Sequence, residues 1–130
     1  MHIYKVKAFA RFQRREGIAD ASLVKAVRDA TRGLIAADLG DGLIKQRVAR
    51  RGRGKRGGYR TVLAYRRAHR AVFLLGFAKS DRANIEDDEL EELKAQGREY
   101  LALSEEQIEE LLLEDDLTEI SCDEEDEKEA

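Results

Sequence analysis

Residues 71–77 read Ala-Val-Phe-Leu-Leu-Gly-Phe, an unbroken apolar run with no polar residue on alternate positions. A strand of this kind has no face suited to water, so it belongs at the centre of a sheet with helix packed over at least one side. That requirement constrains the fold more than any other segment. Residues 59–65, Tyr-Arg-Thr-Val-Leu-Ala-Tyr, are β-branched, aromatic and aliphatic and are predicted to pair antiparallel with the run. The connection at residues 66–70 lacks the Asn-Gly or glycine signal of a two-residue hairpin, which leaves the register open.

The remaining elements follow from periodicity. Residues 2–9 alternate apolar and polar, with Ile3 out of phase, and predict a first strand. Phe9 and Phe12 lie three apart in a basic stretch that predicts a short helix stopped at Gly17. Asp20 is placed to cap a longer helix whose apolar stripe, Leu23, Val24, Val27, Ala30, Leu34 and Ile35, extends the expectation to about Ala37. Gly40 and Gly42 around Asp41 signal a turn, and residues 43–49 a second strand. Asn84 is placed to start a helix carrying Ile85, Leu90 and Leu93 that weakens at Gly97. Ser104 and Gln107 have the spacing of a capping box before a last helix. The expected fold class is α+β, a small antiparallel sheet with packed helices in the order β, α, α, β, β, β, α, α. The expected division is a folded domain over 1–103, an acidic C-terminal helix over 104–120 and a disordered acidic tail over 121–130.

Of the 130 residues, 39 % are charged, and the net charge of −3 conceals a separation. Residues 1–82 hold 21 of the 24 Lys and Arg and 6 of the 27 Asp and Glu, a balance of +15; residues 83–130 carry −18. A strongly basic body suits a polyanionic partner, because each cation set against a phosphate releases counterions. The acidic end is suited to repel nucleic acid, to cover the basic surface from within, or to keep the chain soluble. No apolar run approaches the ~18 residues of a membrane span. Residues 1–9 lack the apolar stretch and cleavage site of a secretory signal, so a cytoplasmic protein without a membrane partner is expected. The single Cys122 has no partner for an internal disulfide or a CxxC pair.

The charge concentrates in residues 45–60, KQRVARRGRGKRGGYR, where eight of sixteen positions are Lys or Arg, four are Gly and none is acidic. Such density is costly unless a polyanion is bound. Lys45 and Arg47, two apart on a strand, point to one face. Gly52, Gly54 and Gly57 match GxGxxG by letter, but neither the following helix nor the acidic residue about twenty positions on is present, so no dinucleotide cofactor is expected. A Walker A loop fails as well. His2 and His69 are far apart without metal-ligand spacing, and no metal is expected.

Without paired carboxylates or a central histidine, hydrolytic chemistry here must rest on cations. RNA cleavage can be run that way, because the attacking 2′-hydroxyl is already on the substrate and the protein aligns it, stabilises the phosphorane and moves two protons. Arginine binds phosphate bidentately, and a lysine among other cations serves proton transfer. Lys45 and Lys55 are the proton-transfer candidates. Arg47, Arg56 and Arg60 are the phosphate clamps, with Tyr59 a candidate for stacking on a base.

The segments Leu43-Ile44-Lys45-Gln46-Arg47, Gly54-Lys55-Arg56-Gly57-Gly58-Tyr59-Arg60 and Phe73 to Lys79 followed by Ser80-Asp81-Arg82 resemble the RelE/HigB-type toxins of bacterial toxin–antitoxin modules. The likeness covers about residues 2–95. It implies a RelE-like fold and a metal-independent endoribonuclease that cuts ribosome-bound messenger RNA and so inhibits translation. It also implies a cognate antitoxin, the ribosome and mRNA as partners. On the resemblance Lys45 and Arg47 match the basic pair of the family's second strand, and Arg60 matches the arginine that holds the scissile phosphate. The catalytic set is then Lys45, Arg47, Lys55 and Arg60, with Arg50, Arg51, Arg53, Arg56, Tyr59, Lys79 and Arg82 as RNA contacts. Ser80 and Glu86 stand where RelE has a basic residue and a tyrosine, with Arg82 the nearby substitute. Two other functions fit the same features. One is a non-catalytic inhibitor of DNA gyrase like the ParE relatives; the other is an RNA-binding regulator shielded by its own acidic C-terminus.

Overall fold

The computed structural model describes residues 1–50, 54–82 and 84–121, with the side chains of 50 and 54–57 outside the description. In chain order the elements are β1 (His2–Val6), α1 (Lys7–Glu16), α2 (Asp20–Thr31), β2 (Ala37–Gly40), β3 (Leu43–Arg50), β4 (Gly54–Arg66), β5 (Arg70–Ala78), α3 (Asp87–Ala102), α4 (Glu105–Leu113) and β6 (Leu117–Ile120). The strands form one sheet in the order β2-β3-β4-β5-β1-β6. The fold is α+β, as the sequence predicts, and the apolar run lies inside β5, flanked by β4 and β1.

The sheet is mixed rather than antiparallel: β1 runs parallel to β5, and the other four pairings are antiparallel. A parallel pair needs a long crossover, and α1, α2 and the β2–β4 meander supply it. Helices cover both faces. On one, Phe9 packs on Phe73 with ring centroids 5.1 Å apart, and Phe12 meets Tyr59 edge-on at 5.6 Å. Gly76 admits this packing, since a Cβ there would fall within the edge of the Phe12 ring. On the other face Gly97, inside α3, lies against Leu43, Ala64 and Leu74. The helix continues through Gly97 instead of weakening there; a Cβ at this position would stand 3.4 Å from Ala64 Cβ and Leu43 Cδ1, in ordinary contact, so α3 packs close on the sheet at this turn.

Local chemistry accounts for the other differences. β1 ends at Val6 and α1 begins at Lys7, earlier than the expected strand end at residue 9, because burying Phe9, Ala10 and Phe12 together requires helical spacing. Gly17, at φ 69°, closes α1 as expected. The residue before α2 is Ala19, and no side chain caps it; Asp20 instead accepts hydrogen bonds from Gln13 Nε2 at 2.7 Å and Lys5 Nζ at 3.1 Å. α2 stops at Thr31 rather than about Ala37. Gly33 is left-handed, and Gln46 draws the following chain onto β3, donating to Ala26 O and Leu34 O and accepting from Ala36 N. Residues 37–40 thereby become strand β2, and Leu34 is left 62 % exposed.

The Ser104–Gln107 capping box is present, but α4 does not run to residue 120. The chain turns through Asp115, at φ 62°, and β6 pairs with β1, burying Leu117 and Ile120 beside Val6 and Ile3. Those two apolar residues find cover only at the sheet edge. The expected acidic tail lies almost wholly outside the described residues.

Candidate nucleic-acid interface

The register of β3, β4 and β5 builds a cationic row. Opposite residues on neighbouring strands project to the same face. Arg47 pairs with Arg60, and Arg60 pairs in turn with Phe77; one step along, Lys45 pairs with Val62 and Val62 with Leu75. Lys45, Arg47, Arg60 and Phe77 thus share the face on which α3 lies. A bulge sets this arrangement: Leu63 pairs with Phe73 and Val62 with Leu75, leaving Leu74 as the extra residue. By simple alternation Phe77 would share the face of Phe73 and point towards α1; the inserted residue turns it to the arginines.

Arg47 is exposed, whereas Lys45 and Arg60 are half-buried. Arg60 Nη1 is fully buried, without a hydrogen-bond partner among the described residues. Among the described residues none of these three cations makes an ion pair. A buried guanidinium nitrogen without an acceptor is unfavourable in the isolated molecule and favours any anion that reaches it. β3 is fixed from the opposite side by Gln46, whose amide bonds hold the strand between Lys45 and Arg47.

Arg82 joins from beyond β5. Its guanidinium carbon sits 4.7 Å from the centre of the Phe77 ring, and Nη1 and Nη2 donate to Glu89 Oε1 and Oε2 at 2.7 and 3.2 Å. Lys79 is exposed just past the end of the same strand. Four sequence-predicted residues, Lys45, Arg47, Arg60 and Arg82, are therefore gathered around one part of one face.

Tyr59 is not with them. It is opposite Val48 and 2 % exposed, and it packs on Phe12 on the far side of the sheet, which corrects its assignment as a stacking platform for a base. A tyrosine one residue from Arg60 on a strand must point to the other face. Lys55 and Arg56 lie on β4 with side chains outside the description, as does that of Arg50 on β3; Arg51 and Arg53 lie outside the described residues. Phe77 and Glu89 are the positions that sequence reasoning left without a role. Phe77 was visible only as strand filling, because its partner depends on the bulge, and Glu89 is one of three acids in the first turn of α3.

Of the acidic end, the described residues beyond α3 lie away from this row. β6 lies beyond β1, on the far side of β5 from β4, and α4 packs on β6. The carboxylate that reaches the cations comes from α3. Among the described residues no group of three or more His, Cys, Asp or Glu is placed to hold a metal ion, and no helix is long and apolar enough to cross a membrane.

A family model described as the RelE toxin of the RelE/RelB toxin–antitoxin system matches residues 1–120. No curated protein gives a significant match.

Proposed function

The chain belongs to the RelE toxin family and is a toxin of a toxin–antitoxin module, and from that premise we propose that it is a ribosome-dependent endoribonuclease that halts translation by cutting messenger RNA. The observation that carries the proposal is the Arg47–Arg60 pair with the buried, unpartnered Nη1 of Arg60. Two guanidinium groups side by side, with Lys45 on the same strand face, match the charge of a phosphodiester that becomes a dianionic phosphorane.

In the proposed reaction the 2′-oxygen of the message attacks the adjacent phosphorus as its proton is removed. The 5′-oxygen of the next nucleotide leaves and takes up a proton. The products are a 2′,3′-cyclic phosphate and a 5′-hydroxyl end. Arg60 and Arg47 hold the non-bridging oxygens, and the charge that develops there is what they stabilise. Lys45 and Lys55 are the proton-transfer residues. The ribosome supplies the ordered message and the alignment of the 2′-oxygen, which is where much of such a rate enhancement arises. A cognate antitoxin is the expected protein partner, and the basic face is the surface it must neutralise.

The test is cell-free translation followed by mapping of message ends. The expected result is arrest with new 5′-hydroxyl ends in ribosome-bound message, lost in the Lys45→Ala, Arg60→Ala double variant while its circular dichroism is retained. Complete arrest with intact message overturns the proposal. Unimpaired translation with inhibited DNA supercoiling selects a gyrase inhibitor instead.

A further inference from the structure

The face that carries Arg60 also holds an ion pair with an unusual placement. The guanidinium carbon of Arg82 sits over the ring of Phe77, the residue directly opposite Arg60, and its two terminal nitrogens donate to the two oxygens of Glu89 at 2.7 and 3.2 Å. Resting on the proposed nuclease reading, we propose that Phe77 and Glu89 make Arg82 a phosphate contact held in reserve. Phe77 is the positioning residue, and the Glu89 carboxylate occupies the phosphate-binding edge of the guanidinium until a phosphate of the RNA strand displaces it.

Three features support this. A carboxylate offers a guanidinium the same two-oxygen geometry as a phosphate, so Glu89 and a phosphodiester compete for one edge. A phosphate approaching the remaining edge of Arg82 would still meet the negative charge of Glu89 at close range, so the two anions exclude each other. Both partners are about one-third exposed, at 35 % and 34 %, so exchange is open to solvent and an incoming strand. The ring of Phe77 keeps the guanidinium beside the Arg60 row whichever anion it holds, through apolar and cation–π contact. Lys45, Arg47 and Arg60 carry no carboxylate among the described residues, so the masking acts on one cation of the row.

The experiment measures binding of a short fluorescent single-stranded RNA by anisotropy across a salt series, with the full chain. Glu89→Gln is expected to tighten binding roughly threefold to tenfold and to steepen the dependence of log K on log salt by about 0.7, the increment of one added phosphate contact on a single strand. Asp88→Asn removes the same charge from the same helical turn, where the residue is exposed and pairs with no cation among the described residues, and is expected to change affinity less than twofold. The gain from Glu89→Gln is expected to vanish when Arg82 is also changed to Ala, and to shrink with Phe77→Leu. Partly exposed pairs contribute little to stability, so the Glu89, Asp88 and Arg82 variants are expected to fold as the parent does. Phe77 is 5 % exposed, so Phe77→Leu loses some core packing, and thermal melts establish that each variant is folded under the assay conditions. A Glu89→Gln protein that binds no tighter than Asp88→Asn, or a gain that persists without Arg82, overturns the competition and leaves the nuclease reading standing. Failure of every form to bind RNA overturns the competition at Arg82 as well, whereas the nuclease reading falls only if cell-free translation shows no message cleavage.

Discussion

Arg60 lies directly opposite Arg47 on the β3–β4 ladder, and one nitrogen of its guanidinium is buried without a hydrogen-bond partner. Two like charges in register repel, and a desolvated donor without an acceptor is unfavourable. A bound anion would relieve both at once, supplying an acceptor to the donor and opposite charge to the pair.

This separates the effects of Arg60 on activity and on stability. Replacing it with methionine, similar in length and uncharged, removes both the repulsion and the unmet donor. Arg60→Met is expected to lose message cleavage by about 10²–10³-fold, while stability is unchanged or rises by up to about 1 kcal/mol. Cleavage kinetics and urea denaturation check the two halves separately. A large loss of stability would show that Arg60 is a structural residue.

Arg47 is exposed on the same row, so its contribution to RNA binding is expected to be electrostatic. Arg47→Gln should lower the slope of log K against log salt by about 0.7 for single-stranded RNA, with weakening that is uniform across sequences. Arg15 lies on α1, on the other face of the sheet, beside Glu16 and Phe12. Arg15→Gln should leave the slope unchanged. Equal slopes for the two variants would remove Arg47 from the interface.

Arg70 performs the opposite task with the same chemistry. It is 2 % exposed, its Nη1 donates to the carbonyls of Tyr100 and Leu103 at 2.8 and 2.9 Å, and its Nη2 donates to Glu105 at 3.1 Å. These bonds satisfy the C-terminal end of α3 and join it to α4. Arg70→Met leaves those carbonyls without their donor and is expected to cost about 2–4 kcal/mol. Hydrogen exchange should show the loss first in α3, α4 and β6.

Alkaline pH reports on Tyr4. Burial raises its phenol above the ordinary value of 10.0, and the nearby Glu119 and Glu105 add to the shift against the opposing effect of Arg70. The folded state therefore favours the neutral phenol. That contribution is complete below the unfolded value and is lost as pH rises through the folded one. Urea denaturation between about pH 8 and about pH 11 should show stability falling at the upper end, less steeply for Tyr4→Phe. A residual slope is expected from Tyr100, which burial also raises.

The elements legible in the sequence were those whose signal is local. The stop at Gly17, the Ser104–Gln107 box and the apolar run of β5 each depend on neighbours within a few positions, and the structure shows them where expected. The placement of Lys45 and Arg47 on one face was legible for the same reason, since a strand alternates with period two. Leu34 and Ile35 misled because their spacing continues the stripe of α2, while Gln46, distant in sequence, takes the chain into β2. Leu117 and Ile120 had no visible partner until β1 lay alongside them.

The sequence by itself determined the α+β class, the segregation of charge and the shared strand face of Lys45 and Arg47, because composition and short periodicity dictate these. The tertiary structure alone decided which residues meet. One extra residue at Leu74 turns Phe77 towards Arg60, the pairing of β3 with β4 sets Arg47 beside it, and the approach of α3 brings Glu89 to Arg82. Register and helix docking are long-range outcomes of packing the whole core, and no window of the chain contains both partners of those contacts.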